Sequence, residues 1–369
     1  MTYELITSTR QLNAACIKLS QSDVIAVDTE FKRETTYFPI PCLFQLASSQ
    51  HTFCIDPFEI DNLEPIKALF ADETILKVFH AGRQDLEIFY YLFETLPKPV
   101  FDTQIAAAIL GFPAQVGYAK LVCDYLHIEL DKSLTRADWE RRPLPQKQLE
   151  YAANDVIYLL QVYEKQIKAL KSSNRLRWPD SDNEALLDHS LYRPDPSSAW
   201  KKLRNHHLSN ATERQIASEI AQWREAQAIK RNRPRKYIFD NTVISEIAIH
   251  QPTTLNDMKQ LDNVPSYVTR KFGKELLTLV QKGLNAREEV HKHDFQQLTE
   301  AENKLVKAMQ KHIKQIAEQE NIEASVICSK KEIEKLVRGK TLLPVLSGWR
   351  YNLVGKTLSE MKAINDQSD

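Results

Sequence analysis

Cysteine is scarce in this chain, and its five occurrences are scattered. Cys16, Cys42, Cys54, Cys123 and Cys328 form no C-x-x-C pair, so the sequence indicates neither a disulfide framework nor a zinc site. This usage is typical of a reducing compartment. Apolar runs are short as well, and none approaches the roughly 20 residues that a membrane-spanning helix needs. The first residues lack a basic region followed by an apolar run, so we expect no signal peptide, no membrane partner and a cytoplasmic location.

The chain also lacks the glycine-rich loops that bind nucleotides. It contains no G-x-G-x-x-G segment. Gly355-Lys356-Thr357 resembles the end of a phosphate-binding loop, but Arg350 occupies the position of the first glycine of such a loop. We therefore expect no nucleotide cofactor and no NTP-driven activity.

The net charge is zero, yet the two halves of the chain differ in sign. Residues 1–170 carry 16 Lys and Arg against 23 Asp and Glu, whereas residues 171–369 carry 33 against 26. Residues 200–239 alone carry 10 basic and 3 acidic residues. This asymmetry suits a phosphodiester substrate, because a basic surface attracts phosphate. The alternative is that these Lys and Arg side chains only solvate helix surfaces.

Acidic residues stand at the end of a short apolar run. Residues 24–27 predict a buried strand, and Asp28 and Glu30 come directly after it. Residues i and i+2 of an extended chain point to the same face, so both carboxylates can converge. Further on, Tyr151 and Asp155 are four residues apart in an apolar helical segment, a spacing that places them on one helix face. Buried Asp is rare unless it is paired or binds a metal.

A further carboxylate, Asp85, lies in the segment HAGRQDLEIF. Taken singly, Asp28 also suits a strand end and Glu30 a surface. Asp85 also suits the first turn of a helix, and Tyr151 a packed aromatic. Four carboxylates in one place repel each other unless cations are present, and Mg²⁺ and Mn²⁺ prefer such all-oxygen ligands. The set therefore predicts a site for two divalent cations that acts on a phosphodiester.

The order of these motifs resembles that of ribonuclease D, a family of 3′→5′ exonucleases with four acidic metal ligands and a tyrosine. The resemblance rests on DTEF, LFQL, HAGRQDLEIF, DWERRPL and YAANDVIYLL and covers about residues 20–170. It implies a ribonuclease H-like α/β fold with a mixed sheet. It also implies that two ions, Mg²⁺ or Mn²⁺, bind to four ligands: Asp28, Glu30, Asp85 and Asp155. Glu30 and Tyr151 are then the catalytic residues, and Tyr151 orients the attacking water.

Five further residues are candidates for contacts with the substrate. Thr29 and Phe31 flank the acidic residues, and we expect the backbone N–H of Thr29 and the ring of Phe31 to contact the terminal nucleotide. His80 is a candidate for a phosphate or ribose contact, with a structural role at a helix start as the alternative. Arg141 and Arg142 are candidates for a phosphate clamp, with a surface role as the alternative.

The chain beyond about residue 170 has a different character. Residues 171–208 predict a linker and a connecting helix. The segment LSNATERQIASEIAQWREAQAIKRNRPRKYIFDNTVISEIA resembles the helical HRDC domain shared by RecQ-type helicases and ribonuclease D. We expect an exonuclease domain over 1–170 and two small all-α domains over 209–289 and 290–369, of which the second is divergent. A basic and aromatic segment in the first is typical of surfaces that bind nucleic-acid backbones. The residues assigned to it are Arg231, Arg233, Arg235, Lys236 and Tyr237.

These features predict an exoribonuclease that shortens the 3′ ends of tRNA precursors and other structured RNAs and releases 5′-mononucleotides. The preference for RNA is implied by the resemblance, because carboxylates and cations treat RNA and DNA phosphates alike. One alternative is a DNA 3′→5′ exonuclease. The other is a nucleic-acid-binding scaffold without activity, which the presence of all four carboxylates disfavours. We expect the protein to act as a monomer.

Overall fold

The computed structural model describes residues 2–131, 133–134, 137–203, 208–286 and 298–366. The contacts within the chain divide it into two compact units. The first comprises Met1–Lys32, Pro41–Tyr192 and Leu298–Asp369, and the second comprises Arg33–Ile40 and Arg193–Gln297. The C-terminal helices therefore belong to the same unit as the predicted exonuclease domain.

A six-stranded mixed sheet lies at the centre of the first unit. Its strands are β1 (Glu4–Ile6), β2 (Val24–Lys32), β3 (Ile40–Ala47), β4 (Thr52–Ile55), β5 (Leu76–Phe79) and β6 (Val100–Asp102). Their order in the sheet is β1-β4-β3-β2-β5-β6. β3 and β4 are antiparallel, whereas β1 with β4, β2 with β5 and β5 with β6 are parallel. β2, which carries Asp28 and Glu30, is thus an interior strand.

Helices cover both faces of this sheet. They are α1 (Thr9–Leu19), α2 (Glu64–Ala71), α3 (Arg83–Phe93), α4 (Thr103–Ile109), α5 (Tyr118–Leu126), α6 (Gln146–Ser172) and α7 (Asp180–Ala185). On one face, Phe44 and Phe79 of the sheet pack against Phe89 of α3. On the other face, α6 buries a stripe at helical spacing, including Ala152 and Val156, against the sheet. α6 thereby faces β2 with the side that carries Asp155.

The second unit is helical. Its helices are α8 (Ala211–Lys230), α9 (Arg235–Ile238), α10 (Asn241–His250), α11 (Leu255–Lys259) and α12 (Ser266–Leu284), and a 3₁₀ helix spans Pro196–Lys202. Their apolar faces form one core around Phe239 and Phe272. The predicted linker is thus partly helical, and the predicted first helical domain forms a core of its own.

The C-terminal helices complete the core of the first unit. They are α13 (Glu300–Glu320), α14 (Ala324–Ile327), α15 (Lys330–Val337), α16 (Gly348–Arg350) and α17 (Lys356–Asp366), with a π-helical turn at Tyr351–Gly355. Trp349 stacks on Trp178 at 4.4 Å between ring centroids. Gly111 has φ +93°, and a β-carbon there would lie 2.6 Å from the carbonyl oxygen of Asn321, so this contact requires glycine.

The described helices include none that is both long and apolar enough to cross a membrane. All five cysteines are free thiols.

Candidate active site

Three of the predicted ligands converge between β2 and α6. Asp28, Glu30 and Asp155 each offer one carboxylate oxygen, and these three oxygens lie within 4.8 Å of one another. Asp28 and Glu30 share a face of β2 because they are two residues apart, and Asp155 comes from the facing side of α6. All three side chains are half-buried. This arrangement agrees with the convergence expected from the spacing.

Burial raises the pKa of each carboxyl group of this cluster, and for two of the groups neighbouring carboxylates raise it further. Burial raises the pKa of Asp28 to about 6. Burial, followed by the neighbouring carboxylates of Asp28, Asp155 and Asp85, raises the pKa of Glu30 to about 10. Burial and the Asp28 carboxylate also raise the pKa of Asp155 well above its ordinary value. Such a site has negative charge to be offset, and its all-oxygen donors fit hard divalent cations.

The fourth carboxylate is held beside this cluster by Thr29. Asp85, in the first turn of α3, is buried, and the Thr29 hydroxyl donates to its Oδ1 at 2.5 Å. The backbone N–H of Thr29 donates to the carboxylate of Asp28. Thr29 therefore uses both of its donors on predicted metal ligands. We expected its N–H to contact the nucleotide, and that contact stays a prediction.

Tyr151 lies one helical turn before Asp155 on α6, and its phenol is hydrogen-bonded to the Asp155 carboxylate. Its ring lies 6.1 Å from that of Trp139, which is only 5% exposed. Trp139 thus packs behind Tyr151 and limits the positions of the phenol. Phe31, the other residue expected to contact a nucleotide, is half-buried against the core on the α3 face.

His80 is engaged within the protein. Its Nε2 lies 3.1 Å from the carbonyl oxygen of Val116, which can only accept, and its Nδ1 lies 3.0 Å from the Thr103 hydroxyl oxygen. Burial lowers the His80 pKa, which favours the neutral ring. Both ring nitrogens are thus used, so the structural alternative for His80 is favoured over a phosphate or ribose contact.

The predicted phosphate clamp needs a correction at Arg142. Its guanidinium donates from Nε and Nη2 to both carboxylate oxygens of Asp56, at 2.5 and 2.8 Å, and Asp56 is 3% exposed. It also donates to the carbonyl oxygens of Trp139 and Cys42, each at 2.8 Å. Arg142 therefore joins the loop before α6 to the sheet rather than binding phosphate. Arg141 is exposed, and its clamp role stays a prediction.

The basic segment of the second unit also divides into two groups. Arg235 forms a two-pronged ion pair with Glu225, a side chain that is 2% exposed, so Arg235 is a structural cation and not part of a nucleic-acid surface. Arg233 is exposed and donates to the carbonyl oxygen of Thr35 at 3.2 Å. Arg231 and Lys236 are exposed, and Tyr237 is 50% exposed.

The structure adds two residues beside this group that the sequence did not indicate. Lys271 of α12 lies 5.3 Å from the centroid of the Phe272 ring, and Arg231 lies 5.2 Å from the same ring. Tyr267 is 40% exposed, and its hydroxyl donates to the carbonyl oxygen of Ile238 at 3.2 Å. We call Arg231, Lys236, Tyr237, Tyr267 and Lys271 the basic–aromatic face. Tyr267 and Lys271 lie about 30 residues after Tyr237 in the sequence, so the composition of the basic segment did not indicate them.

This fold and this site define a nuclease domain followed by helical domains, and comparisons with known proteins agree. Residues 3–171 match the family model described as 3′-5′ exonuclease, and residues 213–280 match the HRDC domain. A ribonuclease D of Bartonella henselae is 36% identical over 97% of this chain and 89% of its own length. The ribonuclease D of Zymomonas mobilis is also 36% identical, over 96% and 92%.

Solved structures show the same relationship. The crystal structure of Escherichia coli RNase D, described as an exoribonuclease involved in structured RNA processing, has a TM-score of 0.88 and 30% identity, with 99% of each chain covered. The catalytic core of RRP6 from Trypanosoma brucei has a TM-score of 0.60 and 26% identity, with 78% of this chain and 81% of that chain covered. The chain belongs to the ribonuclease D family, and is a hydrolytic 3′→5′ exoribonuclease whose exonuclease domain is metal-dependent. The predicted family, fold class and activity are confirmed.

Proposed function

We propose that the enzyme trims 3′ extensions from tRNA precursors and other structured RNAs with two divalent cations, Mg²⁺ or Mn²⁺, and releases nucleoside 5′-monophosphates. The observation that carries the metal part is the convergence of three carboxylate oxygens within 4.8 Å, with Asp85 tied alongside. Bound cations supply Lewis acidity toward the scissile phosphate and lower the pKa of a water molecule. Asp28, Glu30, Asp85 and Asp155 hold the cations.

The remaining groups orient the reactants. The Tyr151 phenol, fixed by Trp139 and by its bond to Asp155, orients the attacking water. A free phenol titrates near ~10, so it is a poor base at neutral pH and acts as a positioned hydrogen-bonding group. Thr29 keeps Asp28 and Asp85 at a fixed separation, because one residue donates to both. Arg142 fixes the loop before α6, and α6 in turn carries Tyr151 and Asp155.

RNA binding is assigned to the basic–aromatic face of the second unit. Exposed cations beside exposed aromatic rings suit a phosphate backbone with bases that stack. Support for RNA comes from the relatives, since Escherichia coli RNase D is described as an exoribonuclease involved in structured RNA processing. We propose that the enzyme acts as a monomer without a nucleotide cofactor.

The decisive experiment monitors the products of matched substrates. A 5′-labelled tRNA with a short 3′ trailer and a single-stranded DNA of the same 3′ sequence are incubated with enzyme in Mg²⁺ or in EDTA. We expect stepwise shortening of the RNA, release of 5′-monophosphates and no reaction in EDTA. Asp155→Asn should be inactive, whereas Asp61→Asn, an exposed acid on the surface, should match wild type. Faster digestion of DNA, internal cuts, or activity in EDTA would refute the proposal.

A further inference from the structure

One side of helix α13, in the C-terminal part of the first unit, carries four lysines. Residues 303–317 contain these lysines and no Asp or Glu. At 3.6 residues per turn, their spacings place them within an arc of about 80° and over a length of about 15 Å. All four side chains are exposed. We call them the α13 lysine face: Lys304, Lys307, Lys311 and Lys314.

The other side of α13 is buried. It packs in one core with residues of α15 and α17, through Leu305, Val306, Met309, Ile313 and Ala317. A capping box formed by Thr299 and Glu302 begins the helix and satisfies backbone N–H groups of its first turn. The apolar side of α13 is thus used within the protein, and the α13 lysine face is in contact with solvent.

The lysines at the ends of this face differ from the two in its centre. Each end lysine pairs with a glutamate one helical turn away, Lys304 with Glu300 at 2.8 Å and Lys314 with Glu318 at 4.0 Å. These side chains are 69–85% exposed, and such exposed pairs contribute little and are screened by salt. The ion pairs of the described residues give the two central lysines no carboxylate partner. The centre of the face therefore carries positive charge that these pairs do not offset.

Arg175 attaches the end of α13 to the exonuclease domain. Its Nη1 donates to the carbonyl oxygen of Ile109 in α4, and its Nη2 donates to the carbonyl oxygen and to Oε2 of Glu320, all at 2.9 Å. The α13 lysine face therefore belongs to the same compact unit as the acidic cluster. Contacts that a substrate makes away from the scissile bond can supply binding energy that positions its reacting end.

The chemistry of this face fits a phosphate backbone. Exposed helices commonly mix charges of both signs, whereas the α13 lysine face has one sign over about three turns. Lysine binds phosphate as a point charge, and a nucleic-acid strand presents many phosphates in a row. A helix that lies on a membrane needs an exposed apolar face. The exposed residues between the lysines, Ala308 and Gln315, are small or polar, so a membrane surface fits less well.

We propose that the α13 lysine face binds the phosphate backbone of the RNA substrate. This gives the C-terminal helices a surface for substrate, although the HRDC match covers residues 213–280 and does not include them. The surface is distinct from the basic–aromatic face, whose residues belong to the second unit. The inference rests on the proposed function, since RNA is taken as the substrate.

The test replaces the four lysines of the face together by Gln, which keeps a long polar side chain and a high helix propensity. The matched control removes the same charge from four exposed lysines elsewhere on the same unit, by Lys98→Gln, Lys165→Gln, Lys168→Gln and Lys171→Gln. Kd for a labelled tRNA with a 3′ trailer is measured by fluorescence anisotropy in EDTA over a range of salt concentrations. kcat and KM are measured in Mg²⁺ on the same tRNA and on a four-nucleotide RNA.

The Gln variant of the face should bind the tRNA at least about tenfold more weakly at constant salt, and its log–log salt slope should be smaller by roughly 1.5–3.5, at 0.7–0.9 for each lost contact. KM for the tRNA should rise, whereas kcat and KM on the four-nucleotide RNA and the unfolding temperature should match wild type. Replacing the same four lysines by Arg, which also binds phosphate, should keep the wild-type Kd. In wild type, bound tRNA should protect Lys307 and Lys311 from acetylation but not Lys165 and Lys168.

Several results would overturn the inference. An unchanged Kd and salt slope would show that the lysines only solvate α13, and an equal loss in the control variant would show an effect of net charge alone. An equal loss on the four-nucleotide RNA, or in the Arg variant, would point to folding or catalysis. Unchanged RNA affinity with lost binding to vesicles of anionic phospholipid would assign the face to a membrane surface.

The proposed function can fail separately. If wild type cleaved DNA faster than RNA, or cleaved neither, the assignment as a trimming exoribonuclease would be wrong. Kd, the salt slope and the acetylation pattern are measured without cleavage. They would still decide whether the α13 lysine face binds RNA.

Discussion

The acidic cluster should make the metal-free enzyme less stable at neutral pH than its neutralised variants. Burial raises the pKa of Asp28 from 3.8 to about 6. A group whose pKa is higher in the folded state contributes stability that is fully present below its unfolded pKa and is lost as pH rises through its folded pKa. For Asp28 this loss falls between about pH 4 and pH 6. Above that window, the ionised carboxylate opposes folding unless a cation offsets it.

The rise in the pKa of Asp28 gives the size of this destabilisation. Each pH unit corresponds to ~1.4 kcal/mol, so a rise of about two units gives about 3 kcal/mol at most, less because the side chain is half-buried and partly solvated. Asp28→Asn keeps an acceptor for the N–H of Thr29 and removes the charge. In EDTA at pH 7.5, Asp28→Asn should therefore unfold roughly 5 °C above wild type, at about 2–4 °C for each kcal/mol. At pH 5 the difference should be smaller.

In saturating Mg²⁺ at pH 7.5, wild type should unfold at a higher temperature than Asp28→Asn. A ligand at about 100 times its Kd stabilises the folded state by ~2.7 kcal/mol, and Asp28→Asn lacks one ligand. The assay is thermal unfolding of wild type, Asp28→Asn and the surface control Asp61→Asn at pH 5, 6 and 7.5, with EDTA or Mg²⁺. The reasoning is refuted if Asp28→Asn is less stable than wild type in EDTA at pH 7.5, or if the difference does not change with pH.

Three further outcomes are expected from the site and the surface. Tyr151→Phe should keep Mn²⁺ affinity, measured by calorimetry, and KM, but slow single-turnover cleavage by about 10²; an unchanged rate removes the role of the phenol. Arg142→Ala should lower the free energy of unfolding, measured in urea, by about 3–5 kcal/mol, because it leaves the buried Asp56 carboxylate unpaired. An effect on KM alone would instead favour the prediction that Arg142 binds phosphate. Replacing Arg231, Lys236 and Lys271 together by Ala should raise Kd for tRNA and reduce the log–log salt slope by about 0.7–0.9 per lost contact, with kcat on a four-nucleotide RNA unchanged; equal losses on both substrates would place these residues in folding or catalysis.

The sequence predicted those strands and helices that are indicated by the pattern of neighbouring residues. The strand at residues 24–27 and the helix that carries Tyr151 and Asp155 are indicated by short apolar stretches, and the i, i+2 and i, i+4 spacings placed Asp28 with Glu30 and Tyr151 with Asp155. β1 was missed because it has three residues and pairs with β4, about 50 residues away. A strand this short carries little signal of its own, since its stability comes from a distant partner.

The roles of the arginines could not be predicted in the same way. Arg142 and Arg235 carry the same charge as their exposed neighbours Arg141 and Lys236, and composition does not distinguish them. The difference lies in Asp56 and Glu225, carboxylates that are 3% and 2% exposed and are 86 and 10 residues away in the chain. A buried carboxylate is stabilised by a nearby cation. Arg142 and Arg235 therefore form ion pairs within the protein and are not available to bind phosphate.

The same reasoning distinguishes two kinds of acidic site in this enzyme. Where a buried acid faces Arg, as at Asp56 and Glu225, the ion pair neutralises the carboxylate within the protein. Where acids face one another, as at Asp28, Glu30 and Asp155, no basic side chain offsets them in the described contacts. Burial raises the pKa of all three groups, and neighbouring carboxylates raise the pKa of Glu30 and Asp155 further. An unneutralised acidic cluster costs stability, which supports the proposal that external cations bind to it. The two kinds of site therefore differ in how their charge is met: an arginine neutralises each of Asp56 and Glu225, whereas Asp28, Glu30 and Asp155 are the residues that we propose as ligands of the metal ions.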